Sequence, residues 1–190
     1  WCYLCTVRTG KLIQNFDIAV KLIHFPLHPD TAPEGRALQD LFRSGPEDIA
    51  AKYARMKALM DAEGLPYAER SHTYNSRLAQ ELGSWADTVD ASGAIHDALY
   101  RAYFVDRRNI GDRDVLLDIA ESVGLQRDDA RYVLDARTFR AVVDADWAKS
   151  RDYGVAGVPT FVAGHAGIVG AQPYESIERL LIEAGAKRRC

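Results

Sequence analysis

Two cysteines three residues apart, Cys2 and Cys5 in Trp1-Cys2-Tyr3-Leu4-Cys5, are the side chains of this sequence best suited to covalent chemistry. A C-x-x-C pair serves sulfur–sulfur exchange or metal binding, and in both the thiolate is the reacting form. At a helix N-terminus the dipole and free N–H groups favour thiolate, which makes Cys2 the better placed of the two. Three-residue helical spacing sets the side chains about 5 to 6 Å apart at Cβ, so a Cys2–Cys5 bond is expected to be strained or absent. Far along the chain, Val158-Pro159 enters a β-like run, and X-Pro is the linkage at which a cis bond is cheap.

A zinc reading competes, because Cys2-x-x-Cys5 with His24-x-x-x-His28 has finger-like spacing. The eighteen residues between Cys5 and His24 exceed the usual gap of roughly 12 to 15, and Pro26 breaks the helix that would align the histidines. No metal is therefore expected, and His24, His28, His72, His96 and His165 read as surface or satisfied-core residues.

The chain has 190 residues, 47% hydrophobic and 27% charged, with a formal net charge of −3. That is enough to bury a substantial core, and there is no basic excess to attract nucleic acid and no apolar run near the roughly 20 residues of a membrane span. Three cysteines are too few for a disulfide framework, and Cys190, after Lys187, Arg188 and Arg189, reads as a solvated tail residue. The sequence does not begin with Met, so Trp1 is not expected to be the natural start.

The elements that must position the thiols fall into three zones. Leu4 to Leu12 suits a short helix, and Phe16 to Phe25 alternates as a strand with Phe16, Ile18, Val20 and Leu22 on one face. Pro26, Pro29 and Pro33 then sustain neither helix nor ladder. From Gly35 to about Tyr153 the pattern is all-helical: Pro46 to Gly64, Ser76 to Ala91, Ile95 to Asp106, a helix capped by Asp112 and closed by Gly124, Asp128 to Asp135, and Thr138 to Tyr153. The last zone predicts a hairpin of Pro159–Ala163 with Ile168–Gly170, then a helix from Pro173 with Ile177, Leu180, Leu181 and Ala184 inward. Aromatic residues Trp85, Tyr100, Tyr103, Phe104 and Trp147 read as helical core more readily than as a pocket lining, and the acidic runs Asp87 to Asp90 and Asp128 to Asp129 as solvated surface. A lone early strand needs partners for its backbone groups, so the helical block is expected to be inserted into one sheet. A CxxC beginning a helix plus a late Val-Pro entering a strand is the thioredoxin arrangement.

Several segments together resemble the DsbA-like family of FrnE type, related to 2-hydroxychromene-2-carboxylate isomerases and kappa-class glutathione transferases. Trp1-Cys2-Tyr3-Leu4 is similar to the end of its Cys-Pro-Trp-Cys-Tyr motif, and Phe25-Pro26-Leu27-His28-Pro29-Asp30 with Pro33-Glu34-Gly35 to the segment after its second strand. Residues 154–162, Gly-Val-Ala-Gly-Val-Pro-Thr-Phe-Val, and Gly170-Ala171-Gln172-Pro173 resemble its C-terminal signatures; Asn75 to Leu78 and Tyr103-Phe104 fit more loosely. The resemblance implies an α/β chain with a thioredoxin-like fold in residues 1–30 and 154–190, a large all-helical insertion in 31–153, and a first strand lying outside this sequence. It implies thiol–disulfide oxidoreductase or isomerase activity, with a nucleophilic cysteine two places before Trp1, Cys2 as resolver and the Val158–Pro159 bond cis. Trp1, Val158 and Pro159 would bind substrate. Cys5, where the family usually has Gly, reads either as a further redox thiol or as a small buried apolar side chain.

Partners implied are protein or small-molecule thiols and disulfides, with glutathione as an admissible co-substrate, no other cofactor, room for a homodimer, and a cytoplasmic location. Two readings compete: a glutathione-dependent isomerase or transferase, which in the family tends to carry Ser for the nucleophile, and a non-catalytic binding module.

Overall fold

In the computed structural model, which describes residues 1–89 and 92–189, the chain divides into two compact units, Trp1–Phe25 with Ala148–Cys190 and Pro26–Trp147. Those divisions fall a few residues from the ones read at 30/31 and 153/154. Asp90 and Ala91, at the end of a predicted acidic run and helix, and Cys190 lie outside the described residues.

The first unit opens with helix α1 (Cys2–Asn15), whose Tyr3, Leu4, Cys5 and Leu12 are buried. Phe16 leaves the helix in an extended conformation and starts the two-residue strand β1 (Phe16–Asp17). Its antiparallel partner is β6 (Lys187–Arg188), in the tail that had read as merely solvated. Two further bonds lock that pairing: the Arg189 amide donates to the Asn15 carbonyl at 2.8 Å and its Nε to the Phe16 carbonyl at 2.9 Å. The hairpin β4 (Thr160–Ala163) and β5 (Ala166–Val169) precedes helix α9 (Tyr174–Glu183), which Pro173 N-caps. Leu12, Phe16 and Ile177 form the buried centre of this unit, with Phe161, Ile168, Tyr174 and Leu181 packed around them.

Two expectations are corrected here. The strand predicted over Phe16 to Phe25 is a ladder only at Phe16 and Asp17, and Val20 and Leu22, assigned to its inner face, are 45% and 46% exposed. Alternation marks which side chains could share a face, but a strand also needs a neighbour for its N–H and C=O groups, and residues 18–25 have no ladder partner among the described residues. The middle block is not all-helical either, since β2 (Arg36–Ala37) pairs with β3 (His72–Thr73), a ladder too short to leave an alternating pattern.

A short helix α2 (Leu38–Phe42) that the pattern did not single out comes first, and the unit then follows the predicted order of α3 (Pro46–Ala62), α4 (Arg77–Ala86), α5 (Ser92–Phe104), α6 (Arg113–Ser122) and α7 (Arg127–Ala136). Asp112 caps α6 through Oδ1, which accepts from the amides of Asp114 and Val115. Helix α8 (Arg140–Asp152) carries the chain from this unit back into the first. Leu82, Ile95, Leu116, Leu117 and Ala130 anchor the helical core, with Trp85 and Tyr103 packed against it.

Glu81 of α4 sits in this unit with no solvent exposure. Arg77 Nε, Arg137 Nε and Arg137 Nη2 all donate to its carboxylate at 2.7 Å. Burial alone would raise its pKa, but the hydrogen bonds and charges of Arg137 and Arg77 outweigh it and hold the carboxyl below the ordinary range. A group depressed in this way contributes stability that is full above its unfolded pKa of about 4.3 and is lost as pH falls through the lower folded value. Removing the carboxylate takes its bonds from both guanidinium groups, leaving Arg77 with Asp144 and the Arg140 carbonyl and Arg137 open to water. Glu81→Ala is expected to cost about 1–3 kcal/mol in urea unfolding at neutral pH. The cost should shrink on acidification below about pH 4, where the wild-type carboxylate itself protonates.

Candidate active site

The candidate site is built on the first turn of α1 and the loop that leads into β4. Cys2 is the first helical residue, partly exposed, and its thiol is free. Trp1 stands at the N-cap position, makes no side-chain cap, and is 46% exposed. Cys5 is in no disulfide and is only 3% exposed, on the buried face of α1 with Tyr3, Leu4 and Leu12. The two sulfurs are thus unbonded, and only Cys2 is open to a visiting disulfide.

The acidity of Cys2 departs from expectation. The start of a helix favours thiolate by roughly 0.3–1 kcal/mol, less than one pKa unit, whereas burial can shift a group by several. Burial dominates here and pushes the Cys2 thiol up, against a smaller opposing effect from its own backbone N–H. Burial at this position thus works against the thiolate that the helix start favours.

The second half of the site is the run Gly157-Val158-Pro159-Thr160. The Val158–Pro159 peptide is cis, and both residues are half-buried. Thr160 Oγ1 donates to the Gly157 carbonyl at 2.7 Å, closing the turn locally. The Pro159 carbonyl accepts from the Gly170 amide at 2.7 Å, and Gly170 has φ +92°, a backbone conformation natural to glycine. The main chain of Val158 makes no hydrogen bond to another described residue.

One residue absent from the sequence reading joins these halves. Arg8, on α1, donates from Nη1 to the carbonyls of Ala171 at 3.0 Å and Gln172 at 2.7 Å. Those carbonyls directly follow Gly170, so α1 is tied to the segment that holds Pro159. Nothing in the pattern around Arg8 signals a partner more than 160 positions away; the Gly170-Ala171-Gln172-Pro173 signature was the visible end of the same contact.

In the second unit, the loosely matching segments have a structural role. Asn75 Nδ2 donates to the carbonyls of Pro29 at 2.8 Å and Thr31 at 3.2 Å, and Asn109 Nδ2 to that of Pro33 at 2.9 Å, fixing the proline-rich stretch. Trp147 Nε1 donates to Gln80 Oε1 while its ring lies under the Arg77 guanidinium, which is a packing role. Among the described residues no three His, Cys, Asp or Glu side chains are grouped to hold a metal ion, and no helix is long and apolar enough to cross a membrane.

The accessibility difference predicts an ordered alkylation. With iodoacetamide, Cys2 should react first, at a rate that keeps rising with pH beyond the ordinary thiol range near 8.5, and Cys5 should react only on unfolding. Peptide mass spectrometry across a pH series reads both; comparable rates at the two sulfurs would contradict the burial.

Known structures share this architecture. A "probable DsbA oxidoreductase" from Streptomyces coelicolor superposes with a TM-score of 0.88 at 29% identity, over 97% of this chain and 85% of that one. A 2-hydroxychromene-2-carboxylate isomerase gives 0.71 at 18% identity, over 97% and 88%. The cytosolic disulfide reductase DsbM of Pseudomonas aeruginosa, solved with glutathione, gives 0.64 at 22% identity, over 96% and 93%. The sequence model of the DSBA-like thioredoxin domain matches residues 1–181, and the chain belongs to that family.

Proposed function

We propose that, in a thiol–disulfide oxidoreductase of this family, Cys2 is the resolving thiol, partnered by a nucleophilic cysteine two positions ahead of Trp1. The nucleophile's thiolate attacks a substrate disulfide, forming a mixed disulfide and releasing one substrate thiolate. Cys2 then loses its proton and attacks the nucleophile's sulfur, which releases the second substrate thiolate and leaves an internal disulfide. The substrate gains two electrons; two molecules of a small thiol such as glutathione restore the site and leave as their disulfide.

The observation that carries this reading is the partly exposed Cys2 thiol on the first turn of α1, a helix that Arg8 ties to the proline loop. A protonated sulfur is a poor first attacker but suits the second step, because it stays silent until a mixed disulfide is brought against it. Val158 supports the docking role: a main chain without hydrogen-bond partners beside a half-buried proline can pair with an extended substrate segment. Trp1 adds an exposed aromatic surface next to the sulfur. Glutathione is favoured as the small thiol by the fold shared with the Pseudomonas reductase, which was solved with it bound.

The test is disulfide reduction by the full-length gene product, assayed with glutathione as electron donor. Cys2→Ser should lower turnover with glutathione and, with glutathione withheld, trap a mixed disulfide with substrate, visible on a non-reducing gel. Undiminished turnover in that variant would refute the assignment. A serine encoded two positions before Trp1 would shift the chemistry to glutathione addition or isomerisation.

A further inference from the structure

One guanidinium in the second unit has no counter-ion among the described residues. The guanidinium carbon of Arg70 lies over two rings of α5, 4.4 Å from the Tyr103 centroid and 4.7 Å from the Phe104 centroid. Its Nε and Nη1 are buried and have no hydrogen-bond partner among the described residues. Rings satisfy the faces of a guanidinium, but its N–H groups point outward in the plane and need acceptors that a π cloud supplies only weakly. Buried polar groups are nearly always paired, and a buried charge without a partner is among the costlier arrangements.

The space beside those N–H groups is not solid. A cavity of about 20 Å³ is lined by Arg70, Ser71, His72, Tyr74, Tyr103 and Arg107. That exceeds the roughly 10–15 Å³ one water-sized atom requires, so it seats one oxygen-sized group. Ser71 and Arg107 are exposed, which gives the cavity a mouth to solvent with a second guanidinium in its wall. Arg107 is held there with φ +59°, in the left-handed region that a non-glycine residue adopts at a cost. The lining contains hydroxyls, an imidazole and two guanidinium groups, and no carboxylate.

We propose that this cavity binds a small oxyanion, with one oxygen seated against Nε and Nη1 of Arg70 and the remainder at the mouth beside Arg107 and Ser71. Charge selects the ligand: two fixed positive groups with no negative wall favour an anion over a neutral molecule. Phosphate and carboxylate share the required oxygens, and the experiment separates them. The inference does not depend on the thiol chemistry.

Thermal melts of the whole chain in sodium phosphate, sodium acetate and sodium chloride at matched ionic strength test it. Phosphate, acetate or both should raise the melting temperature saturably, and chloride should not. Arg107→Gln, at an exposed position, should leave the fold intact and weaken the fitted affinity roughly tenfold, the loss of one charge-assisted contact. Arg70→Gln should abolish the effect. Equal responses to the three salts, or an unchanged phosphate response in Arg107→Gln or in a folded Arg70→Gln, would overturn the proposal; if Arg70→Gln does not fold, Arg107→Gln decides.

Discussion

The candidate site depends on one guanidinium. Arg8 reaches from α1 to two successive carbonyls, Ala171 and Gln172, in a segment that runs between β5 and α9 and belongs to no ladder. Carbonyl groups in such a connection must find donors, and a charged donor meeting two of them gives bonds stronger than neutral ones. The bond from the Gly170 amide to the Pro159 carbonyl extends the tie to the proline loop. Three stretches far apart in sequence are thereby held by two short steps. Apolar packing such as that around Leu12, Phe16 and Ile177 is not directional, so these bonds supply the orientation it lacks.

The second unit contrasts two ways of burying an arginine. Arg77 and Arg137 face Glu81 by direct bonds, and Arg77 also pairs with Asp144. Arg77 holds the carboxylate from within α4, while Arg137, at the C-cap of α7, ties that helix to α4 through it. Arg70 lies over two rings of α5, and its Nε and Nη1 have no hydrogen-bond partner among the described residues. Coulomb attraction and hydrogen bonding are strongest where water is excluded, so a charge left open there is a demand for a partner rather than a neutral vacancy in the packing.

The elements whose signals are local were legible in the sequence. Asp112 announces α6 because a short carboxylate before an apolar stripe accepts the free amides of a first turn, and it does so here. Pro46, Gly64 and the β4–β5 hairpin are of the same kind, each set by backbone preference within a few residues. The strand over residues 18–25 was misread because alternation is a property of side chains, while a ladder is a property of two chains. Arg8 and Arg70 were missed for a related reason: an arginine on a helix or in a loop is ordinarily a solvated surface residue, and only the fold reveals that its acceptors, or its lack of them, lie across the molecule. Cys2 and Pro159 were singled out by residue type and spacing and again by the family resemblance, and both name positions without giving their environment.

Environment decides what a sulfur can do. The position of Cys2 at a helix start argues for a thiolate and its burial for a thiol, and the larger effect is burial. A two-sulfur site needs this inequality, since two thiolates side by side would repel and compete for the same substrate sulfur. The more acidic thiol is the readier first attacker; the less acidic one loses its proton as it attacks the mixed disulfide, and the second thiolate leaves. Cys5 stands outside that division of labour. At 3% exposure, one helical turn further into the apolar face, it could meet a substrate only by opening α1, and opening α1 would release the Arg8 contacts on which the proline loop is hung.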